Sequence, residues 1–208
     1  MSDIRISREV VFAGENPLLM LYRPGSDEVV AVASHWRTSY SAAGAGEALV
    51  IWVDPEASGL GERAPVGIFT DNAAMAHLVW EHFNRHFDRL QGRGIEARRP
   101  EPARFGWEAA GMRLHRAVCS VGSTTIELEW RDALDVFQTV TTPEVGGSRW
   151  DVTNVILPCA AAAIRVDGIE VAGDVHQPEG MFRSSAFLAF SETWVRLGAV
   201  ETGDESSR

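Results

Sequence analysis

The chain of 208 residues contains no lysine, because all 19 of its basic residues are arginine. Without lysine there is no side chain for a Schiff base, for covalent attachment of pyridoxal phosphate or for a lysine general base. The lysine of the phosphate-binding P-loop is absent as well, which excludes a Walker-type nucleotide site.

Cysteine and long apolar stretches are also scarce. Cys119 and Cys159 are the only cysteines and form no CxxC pair, so we expect two buried, reduced thiols. Segment 1–12 is charged throughout, unlike a signal peptide, and no apolar run reaches the ~20 residues of a membrane span. These absences predict a soluble, cytoplasmic protein.

Positive charge is outweighed by negative charge, with a formal net charge of −10 and a pI of about 5.1. An acidic surface repels the phosphates of nucleic acids and of anionic lipids. We therefore expect neither a nucleic acid nor a membrane as a partner.

Motifs that name a reaction are missing. The chain has no GxSxG nucleophile elbow and no GxGxxG segment after a strand. His82 and His86 are spaced i, i+4, but the glutamate that HExxH requires beside the first histidine is absent. No cofactor and no bound metal are expected.

Short apolar or alternating segments, separated by turn residues, predict antiparallel strands over most of the chain. These segments are 4–12, 18–24, 29–36, 48–54, 66–71, 112–132 as a hairpin, 133–142 and 150–166. Segment 184–198 fits both a helical stripe and one face of a strand. We favour a strand there because the surrounding sequence is β.

The apolar period changes from two to about 3.6 at Asp71-Asn72, a good N-cap pair. The spacing predicts one long amphipathic helix at about 73–91, ended by Gly92 and Gly94. The expected fold class is β-rich α+β, with a strongly curved antiparallel sheet or barrel-like sheet carrying this helix. We expect a single domain over 1–198 and a disordered polar tail at 199–208.

This layout resembles lipocalin-like barrels in the general sense of many antiparallel strands around an apolar centre. The Gly-x-Trp motif near the first strand is missing, and the helix lies in mid-chain. The resemblance therefore concerns the fold alone, since such folds host unrelated activities.

The predicted helix places two histidines among apolar side chains. At about 100° per residue, Met75, Val79 and Phe83 share an apolar face. His82 and His86 fall in the middle of that face. Three interpretations are open for this pair. The two histidines are hydrogen-bonded core residues, or they bind a metal together with further ligands that the spacing does not identify. Alternatively, they line a cavity in which a neutral imidazole moves protons.

A third histidine is predicted to face inward from the 112–132 hairpin. With Gly122-Ser123 at the turn, His115 pairs with Trp130 on the apolar face. His82, His86 and His115 are thus the candidate catalytic residues. Simple stacking of His115 beside Trp130 is the alternative.

Aromatic residues are the candidate ligand-binding groups. Seven tryptophans and nine phenylalanines suffice to line an apolar pocket. The candidates are Trp52, Trp107, Trp130, Trp194 and Phe83, and core packing is the alternative for each tryptophan.

Three hypotheses of function follow. The first is binding of a small, largely apolar molecule in an internal cavity, with cofactor-free acid/base chemistry of isomerase, cyclase or hydratase type. The second is a non-catalytic carrier or sensor with the same cavity, and the third is a structural or interaction module with a filled core. The sequence shows no interface, and a homodimer stays open.

Overall fold

The computed structural model describes residues 9–111, 113–178 and 183–199. Strands dominate this part of the chain, and its one α-helix is α1 (Ala73–His82). The strands are β1 (Glu9–Glu15), β2 (Leu18–Tyr22), β3 (Val29–Ser41), β4 (Gly46–Val53), β5 (Val66–Thr70), β6 (Glu101–Pro102), β7 (Arg104–Ala109), β8 (Leu114–Val121), β9 (Thr124–Ala133), β10 (Phe137–Thr141), β11 (Glu144–Val145), β12 (Ser148–Val166), β13 (Ile169–Glu170) and β14 (Ala186–Ala199).

The strands form one large sheet in the order β6-β5-β4-β3-β1-β14-β12-β9-β8-β7, with the remaining strands attached to β12, β14 and β3. Its pairs are antiparallel except for the parallel pair of β5 and β6. Because β6 and β7 stand at the two ends of this order, the sheet is open. The expected curved, β-rich sheet is present, but it does not close into a barrel, and the likeness to lipocalins is not confirmed.

The sheet folds over on itself through β12, which is 19 residues long. Residues 148–158 of this strand pair with β14, whereas residues 159–166 pair with β9. The two halves of the sheet therefore face each other across a core to which Ile51, Leu128 and Trp130 contribute. Burial of this apolar surface is the main stabilising term of the fold.

The other face of the first half carries α1. The Asn72 side chain caps the helix by accepting a hydrogen bond from the Met75 amide at 3.1 Å. Met75 and Val79 then pack on Trp36 and Val50 of the sheet.

The helix is shorter than the predicted 73–91 segment. It ends at His82, because Phe83 leaves the helical region at φ −128°, ψ −70°, and a single 3-10 turn (Asn84–His86) follows. The run from Phe83 to Asp88 consists mostly of weak helix formers, and apolar spacing alone did not reveal this. The consequence is that His82 and His86 do not share one helix face.

The last described segment is a strand, β14, as favoured from the sequence. Two of its residues, Ser191 and Glu192, stand opposite the single residue Asn154 of β12, which defines a β-bulge. Ser191 has φ +55°, in the left-handed region. Of the predicted polar tail at 199–208, only residue 199 lies within the described residues, and the first predicted strand is described from residue 9 onward.

Candidate functional site

A cavity of about 630 Å³ lies between the end of α1, the face of β2 and β3, and strands β10, β12 and β14. Most of its lining is apolar. Six aromatic side chains contribute to the wall: Tyr22, Trp36, Phe83, Phe87, Phe187 and Trp194. The exposed lining residues are His86 and Pro178, which mark the place where the cavity meets solvent.

One carboxyl group opens onto this cavity. Glu192 is 4% exposed and lines the wall beside Trp194. It faces inward because of the bulge, since the extra residue Ser191 reverses the alternation of side chains along β14. Phe187 lies on the cavity side before the bulge, and Glu192 and Trp194 lie there after it.

Neutral donors hold the Glu192 carboxyl in place. Its Oε1 accepts a hydrogen bond from the Trp194 indole, and its Oε2 accepts one from the Asn154 amide. The Asn16 side chain is a third partner. Ser34 Oγ donates to Asn16 Oδ1 at 3.0 Å, which leaves the amide hydrogens of Asn16 for the carboxylate.

Burial dominates the electrostatics of this group. It raises the pKa of Glu192 from an ordinary 4.5 to about 7, and the hydrogen bonds from Trp194, Asn154 and Asn16 counter only part of that shift. A carboxyl in this state gains or loses a proton near neutrality, a property that suits a general acid or base.

His86 is the one candidate histidine that lines the cavity. It lies at the mouth, where its Nε2 is 3.2 Å from the Glu81 carbonyl oxygen. The imidazole also lies against Gly146, where an added Cβ would come within 2.8 Å of Nε2. Gly146 has φ +60°, so both backbone conformation and space favour glycine beside this ring.

The other two candidate histidines lie elsewhere. His82 is half-buried beside Trp150, with ring centroids 6.0 Å apart, and burial lowers its pKa. His115 pairs with Trp130 in the predicted register and is buried near Phe190, on the far side of the sheet from the cavity. Burial also lowers the pKa of His115. The structure therefore does not bring the three histidines together.

Of the five candidate aromatic residues, two line the cavity and three do not. Trp194 and Phe83 line the cavity, with ring centroids 4.4 Å apart. Trp130 is part of the core between the two halves, where its indole donates to the Leu18 carbonyl at 3.0 Å.

An arginine side chain lies over the ring of each of the two remaining candidate tryptophans. The Arg93 guanidinium lies 3.8 Å from the ring centroid of Trp52, and Arg37 lies 4.5 Å from that of Trp107. Neither Trp52 nor Trp107 is among the residues that line the cavity.

Glu192 and its partners Asn154, Asn16 and Ser34 were not among the site residues predicted from the sequence. In a regular strand Phe190 and Trp194 would share one face, whereas the bulge places them on opposite faces. The local sequence did not single out Asn154 or Glu192, because Asn154 follows the polar Thr153 and Glu192 is flanked by the polar Ser191 and Thr193. Such residues are usually hydrogen-bonded when buried, here to each other.

Neither cysteine is a candidate nucleophile. Burial raises the pKa of Cys119 and of Cys159 to about 12, so both thiols stay protonated near neutrality. Within residues 9–111, 113–178 and 183–199, no cluster of three or more His, Cys, Asp or Glu side chains is placed to hold a metal ion.

Comparison of the chain with protein-family models, with curated proteins and with solved structures gives no match. In the part of the chain that the structure describes, no helix has both the length and the apolar character to cross a membrane.

Proposed function

We propose that the protein binds a small, largely apolar molecule in the cavity that contains Glu192. The observation that carries this proposal is an apolar-walled cavity of about 630 Å³ with one buried carboxyl group in its wall. Sites for small molecules are typically about 300–1,000 Å³, mostly apolar, and furnished with a few convergent polar groups. The cavity has this size and this composition.

A filled core, the structural alternative, fits these observations less well. Protein interiors are close-packed, and cavities larger than a few water molecules are uncommon. A carboxyl group kept in such a space costs stability through desolvation, which favours a use for it. The cytoplasmic location expected from the sequence stays a prediction.

Strand β10 offers a matched pair of variants to test binding. Thr139 lines the cavity, whereas the adjacent Val140 is 70% exposed on the outer face of the same strand. We expect Thr139→Trp to fill part of the cavity and to weaken binding of the neutral fluorophore N-phenylnaphthylamine at least about tenfold. Val140→Trp adds the same indole outside and should bind like wild type, as measured by fluorescence titration.

Equal binding by the two variants, or no binding by wild type, would contradict the proposal. Circular dichroism and urea unfolding of both variants verify that any loss reflects the filled cavity and not a misfolded chain.

Acid/base catalysis is the second candidate function, and it rests on Glu192 instead of the three histidines. A carboxyl with a pKa of about 7 that opens onto an apolar cavity can accept a proton from a carbon acid and return it. Asn154 and Trp194 fix its orientation. Among the described residues that line the cavity, His86 at the mouth is the imidazole available to relay protons to solvent.

Deuterium exchange tests this chemistry without knowledge of the natural substrate. Aryl ketones that displace the fluorophore are incubated with the protein in heavy water, and α-deuteration is followed by mass spectrometry. The catalytic candidate predicts exchange at least about tenfold above background that is lost in Glu192→Gln. Bound ketones without exchange would leave a carrier or sensor as the function.

A further inference from the structure

The ionisable side chains that line the cavity give its interior a negative charge. Among the described residues that line it, Glu192 is the only carboxyl, and no arginine is present. The other ionisable lining groups are Tyr22 and His86, and His86 lies at the solvent mouth. When Glu192 is ionised, the interior wall therefore carries a net negative charge.

The partners of Glu192 do not cancel this charge. The donors are amides and an indole, which satisfy the carboxylate oxygens while remaining neutral. Two described guanidinium groups near this side of the sheet lie over aromatic rings and do not line the cavity. Arg196 lies 5.3 Å from the ring centroid of Trp150, and the exposed Arg183 lies 5.0 Å from that of Phe137. Within the described part of the chain, none of the side chains that hydrogen-bond to Glu192 carries a positive charge.

Aromatic rings stand next to the same carboxyl. Trp194 donates to Glu192, Phe83 lies 4.4 Å from Trp194, and Trp36 lies 5.2 Å from Phe83, measured between ring centroids. The faces of such rings attract cations, most strongly when water is excluded. A carboxylate beside this cluster of aromatic rings is thus suited to an ammonium group attached to an apolar body.

We infer that the ligand is a hydrophobic amine, with its ammonium group paired to Glu192 and its apolar part against the aromatic wall. This inference rests on the proposed function and names the class of molecule that the cavity takes. It also excludes fatty-acid-like anions as favoured ligands, because a second carboxylate near Glu192 would meet like-charge repulsion in a poorly solvated space.

Three molecules with one carbon skeleton separate the possibilities: phenylbutylamine, phenylbutanol and phenylbutanoate. Their affinities are measured with wild-type protein at about pH 8, where the amine is a cation and Glu192 is mostly ionised. Displacement of N-phenylnaphthylamine and calorimetric titration give the dissociation constants. We expect the amine to bind at least about tenfold more tightly than the alcohol, with the carboxylate weakest, because hydrogen bonds to charged groups are the stronger ones.

Glu192→Gln supplies the decisive comparison, since it keeps the shape and removes the charge. The variant should lose the preference for the amine, so that its affinities for the amine and for the alcohol lie within about twofold of each other. Calorimetry provides a second readout. Near neutrality, binding of the ammonium form should expel the proton that part of the Glu192 population carries, so the heat depends on the buffer for wild type and not for Glu192→Gln.

The possible results distinguish the amine inference from the proposed function. If wild type binds alcohol and amine equally, or if the preference survives in Glu192→Gln, the amine inference is overturned while binding of a neutral apolar ligand stands. Tightest binding of the carboxylate also overturns it. If none of the three molecules displaces the fluorophore, and Thr139→Trp binds the fluorophore as wild type does, the proposed function falls together with the inference.

Discussion

Glu192→Gln is expected to remove a loss of stability that the wild-type protein undergoes as the pH rises from about 4.5 to about 7. The folded state keeps the Glu192 proton up to a pKa of about 7, whereas the unfolded chain releases it near the ordinary 4.5. Between these values the folded state binds more protons than the unfolded state. The free energy of unfolding therefore falls with pH in this interval and levels off above it.

The size of the effect follows from the shift. A change from 4.5 to about 7 corresponds to about 3 kcal/mol at pH values above both, and Glu192 is fully buried, so solvent screening does not reduce it much. Urea unfolding of wild type and Glu192→Gln at a series of pH values measures the difference. The gain in stability of Glu192→Gln is smaller if the glutamine amide hydrogens face the Asn154 and Trp194 donors. The pH dependence of stability should still be lost in this variant.

Glu144→Gln is the control, because Glu144 is an exposed carboxyl in β11. Its stability curve should run parallel to that of wild type. A Glu192→Gln curve that also ran parallel to wild type would show that Glu192 titrates at an ordinary pH. The electrostatic description of the cavity would then be wrong.

Trp130→Ala is expected to lower the free energy of unfolding by about 3–5 kcal/mol, as large-to-small substitutions of buried aromatic residues do. Trp130 has no exposed surface and lies in the core between the two halves of the sheet. Its indole also donates to the Leu18 carbonyl, so the substitution leaves a buried acceptor unsatisfied as well as a cavity. Urea or thermal unfolding measures the loss.

The milder Trp130→Phe separates stability from binding. It should cost stability while leaving the affinity for N-phenylnaphthylamine within about twofold of wild type, because Trp130 does not line the cavity. Trp194→Phe should instead weaken binding of the fluorophore more than it lowers stability, since this indole contacts Glu192 and forms part of the cavity wall. A large loss of affinity in Trp130→Phe at unchanged stability would instead place the ligand site in the core.

The sequence predicted those parts of the fold that local patterns control. The hairpin between β8 and β9 has the register expected from its alternation, with His115 opposite Trp130, because a Gly-Ser turn between two alternating runs leaves few options. The start of α1 was likewise evident from the Asn72 cap. The end of α1 was not, because Phe83 packs with Trp36 and Trp194 from distant segments.

The candidate site depends more than the fold does on contacts between residues that are distant in sequence. Phe83 and Trp194, which line the cavity, could be chosen as candidates from composition and position. Glu192 could not, because its direction is set by how β14 pairs with β12. Periodicity describes a regular strand, and a single bulged residue reverses every side chain beyond it. The three candidate histidines were chosen because they were predicted to face inward, yet of these only His86 lines the cavity.

The bulge at Ser191 also bears on how such a cavity changes during evolution. If the strand were regular from Phe187 onward, its alternation would turn Ser191 and Thr193 towards the cavity and Glu192 and Trp194 away from it. The same four residues thus encode two interiors, one acidic and aromatic, the other neutral and lined by hydroxyls. A substitution elsewhere that straightened β14 would thus exchange a carboxyl and an indole in the cavity wall for two hydroxyls without altering any of these four residues.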